Sequence, residues 1–171
     1  MKEHEGVVTM KGEPITLLGD EVNVGDKAPS FTAVGQDLSE VEVDPSEGKV
    51  LVIFSVGSLE TSVCDVETKR FNEEAGKLGK NVKVIAISMD LPMAQKRWCG
   101  VADVENVEVL SDHRDAEFGE KYGVLIKGLR LLARSVFVVD KAGVVQHREL
   151  VHEVTQEPDY EAAPAKVKEL A

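Results

Sequence analysis

The chain lacks any apolar run near the roughly 20 residues that cross a bilayer, which excludes a membrane-spanning helix. It has no Gly/Ser-rich linker, internal repeat or low-complexity tract. Its 171 residues suit one domain with a sizeable core, residues 1–171, and are too few for two ordinary ones. Neither a Walker loop nor a dinucleotide fingerprint occurs, and no cofactor is expected. The first residues, Met1 to Gly6, carry acids and are followed by no apolar stretch of the signal-peptide kind, so the expected location is cytoplasmic. Basic charge is scarce. The formal net charge of −11 argues against nucleic acid and anionic membranes as partners. Cysteine is scarcer still: Cys64 and Cys99 form neither a disulfide framework nor a CxxC pair, though they remain free to meet in space.

Two further patterns lead nowhere. His113-Arg114-Asp115 spells the kinase catalytic triplet without the glycine-rich loop that triplet needs. His147 and His152 are an odd number of residues apart, which on a strand puts them on opposite faces, so no metal site is expected.

What is present centres on one stretch, Ser55 to Cys64. The continuous apolar run Val50–Phe54 reads as a buried strand leading into it. Beyond it, Val63, Val66, Phe71, Ala75 and Leu78 recur at helical spacing, and Gly79 stands where a C′ glycine belongs. Thr61 is the expected N-cap, which puts Cys64 in the first helical turn. Unpaired N–H groups and the helix dipole favour negative charge there, and the thiolate is the nucleophilic form of cysteine. The plainer alternative is a buried, inert cysteine acting as a small hydrophobe. Glu60 and Asp65 flank the site and oppose a thiolate, so a reactive Cys64 needs a cation folded in from elsewhere.

Taken in order, Val7–Met10 and Ile15–Leu18 read as an N-terminal hairpin (about residues 7–18), with Ser30–Val34 and Val41–Val43 as further extended segments. Val82–Ser88 is a second buried strand. Strand, helix, strand implies a right-handed crossover and a parallel pair. Pro92–Trp98 predicts a short helix ending at Cys99-Gly100, Val107–Leu110 a short strand, and Ala116–Tyr122 a helical turn. Ser135–Val139 and Val144–Val151, joined at Asp140–Gly143, predict an antiparallel hairpin, and Tyr160–Leu170 a closing helix. The expected architecture is a thioredoxin-like α/β fold with an N-terminal β-hairpin extension.

Several segments also carry a family resemblance. Thr61-Ser62-Val63-Cys64 is similar to the Thr-x-x-Cys of peroxiredoxins. The runs Ser58–Cys64, Arg70–Ala75, Ser88–Pro92, Ala94–Gly100, Leu132–Asp140 and Glu157–Tyr160 resemble the thiol peroxidase branch, of the atypical two-cysteine type. The resemblance spans nearly the whole chain. It implies a thiol-dependent peroxidase acting on hydrogen peroxide and organic hydroperoxides. Cys64 would be the attacking cysteine, Thr61 a hydroxyl beside its sulfur, Arg134 the missing cation, and Cys99 the resolving thiol of an intramolecular disulfide. On residue type alone Arg130 competes with Arg134, and either arginine can equally be a solvated charge.

The resemblance further implies thioredoxin as reductant and a homodimer. Three positions depart from the family pattern: Gly57 where proline is usual, Ser62 where proline is frequent, and Trp98 where phenylalanine is common. Glycine there adds backbone freedom beside the reactive loop. Two rival functions stay open, a non-catalytic thiol switch that binds a protein partner and a one-cysteine peroxiredoxin in which Cys99 is only structural.

Overall fold

The computed structural model describes Met1 to Ala171. Strands β1 (Glu3–Met10) and β2 (Glu13–Leu18) form the N-terminal hairpin, and β3 (Phe31–Val34) and β4 (Glu40–Val43) a second antiparallel pair. Next come β5 (Val50–Ser55), α1 (Ser62–Ala75), β6 (Val82–Ser88), α2 (Pro92–Ala102) and β7 (Glu108–Ser111). The chain continues through α3 (Glu117–Tyr122), β8 (Leu125–Ile126), β9 (Ser135–Val139), β10 (Val145–Leu150) and α4 (Ala162–Leu170).

The main sheet has the order β10-β9-β5-β6-β7-β3-β4. β5, β6 and β7 run parallel, as two successive strand–helix–strand units require, and the outer strands are antiparallel. This is the expected thioredoxin-like α/β arrangement.

The central strands read as unbroken apolar runs because both faces of the sheet are covered. Strand side chains alternate between faces. Leu51, Ile53, Ile85, Ile87, Phe137 and Val139 enter one core, shared with Phe118 and Tyr122 of α3 and with Val8 and Leu17 of the hairpin. Val52, Phe54, Val84, Ala86, Val136 and Val138 enter the other, shared with Phe71 of α1, Trp98 of α2 and Val167 of α4. Phe54 and Phe71 stack with centroids 4.4 Å apart, pinning α1 to the strand that leads into it. Such a pair contributes about 0.5–1.5 kcal/mol beyond the area it buries.

Three local features differ from the sequence expectation. Helix α1 ends at Ala75 with Gly76 as C-cap, so Leu78 lies beyond it and Gly79 (φ +86°) serves a later turn. Its inward stripe is Cys64, Glu67, Thr68 and Phe71, while Val66 is 50% exposed. Two polar residues occupy the inward stripe, so hydrophobic spacing alone misplaced the helix face. Helix α2 runs on to Ala102 and is capped by Asp103 in the left-handed region (φ 58°), which puts Cys99 inside the helix rather than at its end. The two-residue strand β8 was not foreseen. It adds to the hairpin in the order β1-β2-β8.

The hairpin is tied to the segment after β10. Thr9 N–H donates to the His152 carbonyl at 2.6 Å, and Val154 N–H donates to the Thr9 carbonyl at 2.9 Å. Glu153 accepts the Thr9 hydroxyl and Gly12 N–H, both at 2.8 Å. The extension therefore braces a segment that reaches the site described next.

Candidate active site

Ser55 ends β5 deep in the molecule, and its hydroxyl fixes the neighbouring chain. It donates to the Ala133 carbonyl at 2.7 Å and lies 2.5 Å from the Ser135 hydroxyl, its register partner on β9. Arg134 lies between those two residues, so its backbone position is set from β5. The loop Val56–Thr61 then turns the chain into α1. Asp90 holds this loop, its two carboxylate oxygens accepting the Ser58 hydroxyl at 2.7 Å and Leu59 N–H at 2.9 Å.

Thr61 is the N-cap residue, in extended conformation, but its hydroxyl caps nothing in the helix. It turns back and donates to the Ser58 carbonyl at 2.8 Å. Cys64 follows in the first turn and is 2% exposed. The helix spacing then brings Glu67 and Thr68 to the same face, and Thr68 donates its hydroxyl to the Cys64 carbonyl at 2.8 Å.

The cation beside Cys64 is Arg134. Its Nη2 donates to Cys64 Sγ at 3.2 Å. The same guanidinium donates through Nε and Nη2 to the Val154 carbonyl, at 3.1 and 2.8 Å, and through Nη1 to Glu67 Oε2 at 2.5 Å. Val151 N–H in turn donates to the Arg134 carbonyl at 3.0 Å. A planar fork with its donors directed in three directions is held far more tightly than a lysine ammonium would be. The competing Arg130 is exposed and donates instead to the His113 carbonyl at 3.2 Å.

Glu67 is fully buried, and its Oε1 has no hydrogen-bond partner. Burial pushes its carboxyl up to about 8, and the Arg134 charge offsets that only in part. Burial also works against the charge on Arg134, but Glu67 and Cys64 together raise the guanidinium above its ordinary value. The site thus keeps a permanent cation against the sulfur, backed by an acid whose ionisation burial resists.

Cys64, Thr61 and Arg134 line one cavity of about 340 Å³. Ile126, Leu131 and Val154 make part of its wall apolar, Met10 and Lys11 at the hairpin tip close one side, and Gly57 lines it beside Ser58. A Cβ built on Gly57 would meet only the Leu132 carbonyl oxygen, at 3.8 Å.

Cys99 is not brought to this cavity. It is half-buried, and its sulfur accepts the Gln36 amide at 3.4 Å. Burial pushes its thiol up, which the Gln36 bond offsets only in part. Both cysteines are free thiols. Sequence reasoning missed Glu67, although its i, i+3 relation to Cys64 places it on the same helical face. It missed the Val154 carbonyl as well, and a backbone acceptor far along the chain leaves no mark in residue type.

Comparison with known proteins agrees with this geometry. The redoxin family profile matches residues 23–163. The thiol peroxidase of Halalkalibacterium halodurans is 55% identical over 156 residues, covering 91% of this chain and 93% of that one. That of Bacillus subtilis is 54% identical over 165 residues, covering 94% and 98%. The crystal structure of a peroxiredoxin-like protein from Aquifex aeolicus superposes with a TM-score of 0.91 at 47% identity, covering 98% of this chain and 99% of that chain. No helix is long and apolar enough to cross a membrane. A cysteine in a first helical turn, gripped by a buried arginine on a thioredoxin-like sheet, and relatives this similar along the whole chain make it a member of the redoxin family, in the thiol peroxidase branch of the peroxiredoxins.

Proposed function

We propose that this chain works as a thiol-dependent peroxidase, one domain over its full length, in which Cys64 attacks the peroxide and Cys99 resolves the product. The observation that carries the reading is the Arg134 Nη2 contact with Cys64 Sγ inside the cavity. The Cys64 thiolate attacks one peroxide oxygen, and the O–O bond breaks. Cys64 becomes a sulfenic acid, and the departing alkoxide or hydroxide takes up a proton to leave as alcohol or water. A guanidinium already desolvated and held from three sides stabilises charge on both the sulfur and the leaving oxygen without reorganising, the condition under which such donors are most effective. Thr61 carries a hydroxyl on the cavity wall that is able to donate to a bound peroxide once it leaves the Ser58 carbonyl.

Cys99 then displaces the Cys64 hydroxyl to give a disulfide. The two sulfurs have separate partners in the reduced protein, and a disulfide needs Cα atoms within about 7 Å. Local unwinding of α1 or α2 is therefore part of turnover. An external dithiol, thioredoxin in our reading, returns both cysteines to thiols. The apolar wall suits organic hydroperoxides as well as hydrogen peroxide. A cytoplasmic homodimer is the expected working form, which sizing in solution checks.

A peroxide-consumption assay with thioredoxin and its reductase tests the function. The expected result is consumption of many equivalents of peroxide per protein. A protein that is oxidised once and stops is a thiol switch instead. Turnover with dithiothreitol that is untouched by Cys99→Ser, without a disulfide in the wild type, indicates a one-cysteine enzyme.

A further inference from the structure

The two cysteines lie on different helices, and a side-chain hydrogen bond joins their immediate neighbours in sequence. Trp98, the residue before Cys99, donates its indole Nε1–H to Oδ1 of Asp65, the residue after Cys64, at 2.8 Å. The indole is 9% exposed and belongs to the only tryptophan in the chain. The other Asp65 oxygen accepts Lys69 Nζ at 2.9 Å, so the carboxylate is oriented from both sides. Hydrogen bonds to an ionised acceptor are roughly twice as strong as neutral ones. A weaker tie runs alongside, Arg97 on α2 lying 3.6 Å from Glu60 in the Cys64 loop with both side chains exposed.

Cys64 Sγ faces Arg134 and Cys99 Sγ faces Gln36. In the cycle proposed above, α1 or α2 unwinds locally for the sulfurs to meet, and that rotation carries residue 65 or 98 with it. We propose that the Asp65–Trp98 hydrogen bond is a latch on disulfide closure. It keeps both cysteines in their helices while peroxide reacts, and its release sets how fast Cys99 reaches the Cys64 sulfenic acid. The proposal rests on the roles given above to Cys64 and Cys99.

In the step it controls, the Cys99 sulfur attacks the Cys64 sulfur. An S–S bond forms, the Cys64 S–O bond breaks, and the departing hydroxide leaves as water with the proton Cys99 gives up. Peroxide is the oxidant already spent in forming the sulfenic acid, so no further redox partner is required. Asp65 and Trp98 touch neither sulfur nor peroxide and are positioning residues. A slower latch also lengthens the interval in which a second peroxide takes the sulfenic acid on to sulfinic acid.

The test uses the full chain, reduced, given one equivalent of hydrogen peroxide, alkylated at short intervals and weighed. Trp98→Phe keeps the ring and loses the donor. Asp65→Ala loses the acceptor, and Asp65→Asn loses the charge but keeps the acceptor. Trp98→Phe and Asp65→Ala are expected to close the disulfide about ten- to a hundredfold faster than wild type, the size of effect a single charge-assisted hydrogen bond supports. Asp65→Asn, which keeps only a neutral acceptor, should close it at a rate between those of wild type and Asp65→Ala, and sulfenic acid should form as fast in Trp98→Phe as in wild type. Closure in Trp98→Phe and Asp65→Ala at the wild-type rate or slower overturns the latch while leaving the cysteine roles standing. A wild type that forms no intramolecular disulfide overturns both.

A reading on the unmutated protein guards against misfolded variants. Trp98 emission should shift to the red, with greater acrylamide quenching, in the disulfide form. Identical emission maximum and quenching in the two redox forms overturns the latch.

Discussion

Cys64 is 2% exposed and takes a guanidinium N–H at 3.2 Å. Cys99 is half-buried and takes only a neutral amide, at 3.4 Å, with its thiol pushed up by burial. Burial alone disfavours a thiolate, so burial does not mark out the reactive sulfur. What separates them is a cation that has itself been desolvated, fixed by a backbone carbonyl and a buried acid. In the proposed cycle the contrast gives each thiol a task, Cys64 to attack peroxide and Cys99 to resolve the product.

The sharpest way to break this contrast is to remove each sulfur in turn. Cys64→Ser is expected to abolish peroxide reduction entirely, because a serine hydroxyl beside Arg134 has no base to activate it. Cys99→Ser should lose thioredoxin-coupled turnover and yet leave the first encounter with peroxide unchanged. Rapid-mixing measurement of peroxide loss separates the two. Equal first-step rates in the two variants would erase the distinction between the thiols.

Next in size is the cation. Arg134→Lys keeps a positive charge, but it cannot reach Cys64, Glu67 and the Val154 carbonyl together. A loss of ~10²–10³-fold in kcat/KM is expected, the range for removing one pre-aimed donor. A lysine variant as fast as wild type would mean that charge alone, without the fork, defines the site.

Glu67 sharpens the comparison through pH. Its carboxyl is pushed up by burial to about 8 in the folded protein, against about 4.5 when unfolded. The folded state therefore resists ionising it. The associated stability is fully present below the unfolded value and is lost as pH rises through the folded one. Asp112, pushed up by burial to about 6, acts in the same direction over a lower window. Urea unfolding between about pH 6 and 8 reads the Glu67 contribution. Wild-type stability should fall across that range, and Glu67→Gln, which imitates the protonated acid, should flatten the slope. Parallel slopes in the two proteins would remove Glu67 as the cause.

The smallest effect concerns the loop. Gly57 N–H makes no hydrogen bond within the chain, its φ lies outside the left-handed region, and a side chain there meets ordinary space. Gly57→Pro is expected to raise stability by about 0.4–1 kcal/mol through the unfolded state, readable in a denaturant midpoint. A fall in stability would show that the loop depends on glycine after all.

The fold was legible where one physical demand dominated. Val50–Phe54, Val82–Ser88 and Ser135–Val139 are buried on both faces, so their apolar runs could hardly be read otherwise. Helix α1 was harder, because Glu67 and Thr68 point inward and Val66 outward, and the apolar pattern no longer traces the buried face. Leu125–Ile126 is too short to carry a period of its own and is a strand only because β2 lies beside it. Within the site, Cys64 followed from its place after a buried strand. Composition could not choose between Arg134 and Arg130, a choice decided in the structure by the register of β5 with β9. The Trp98–Asp65 bond joins two helices, and such pairings leave no local trace in either one.

The most direct measurement takes Cys99→Ser, in which Cys64 is the sole thiol, and follows its loss against hydrogen peroxide with free cysteine as a competitor. Cys64 is expected to react ~10³-fold or more faster than free cysteine, with the advantage largely lost when Arg134→Lys is added. A sulfur that reacts no faster than free cysteine, with or without Arg134, would contradict the assignment of Cys64 as the peroxide-attacking residue.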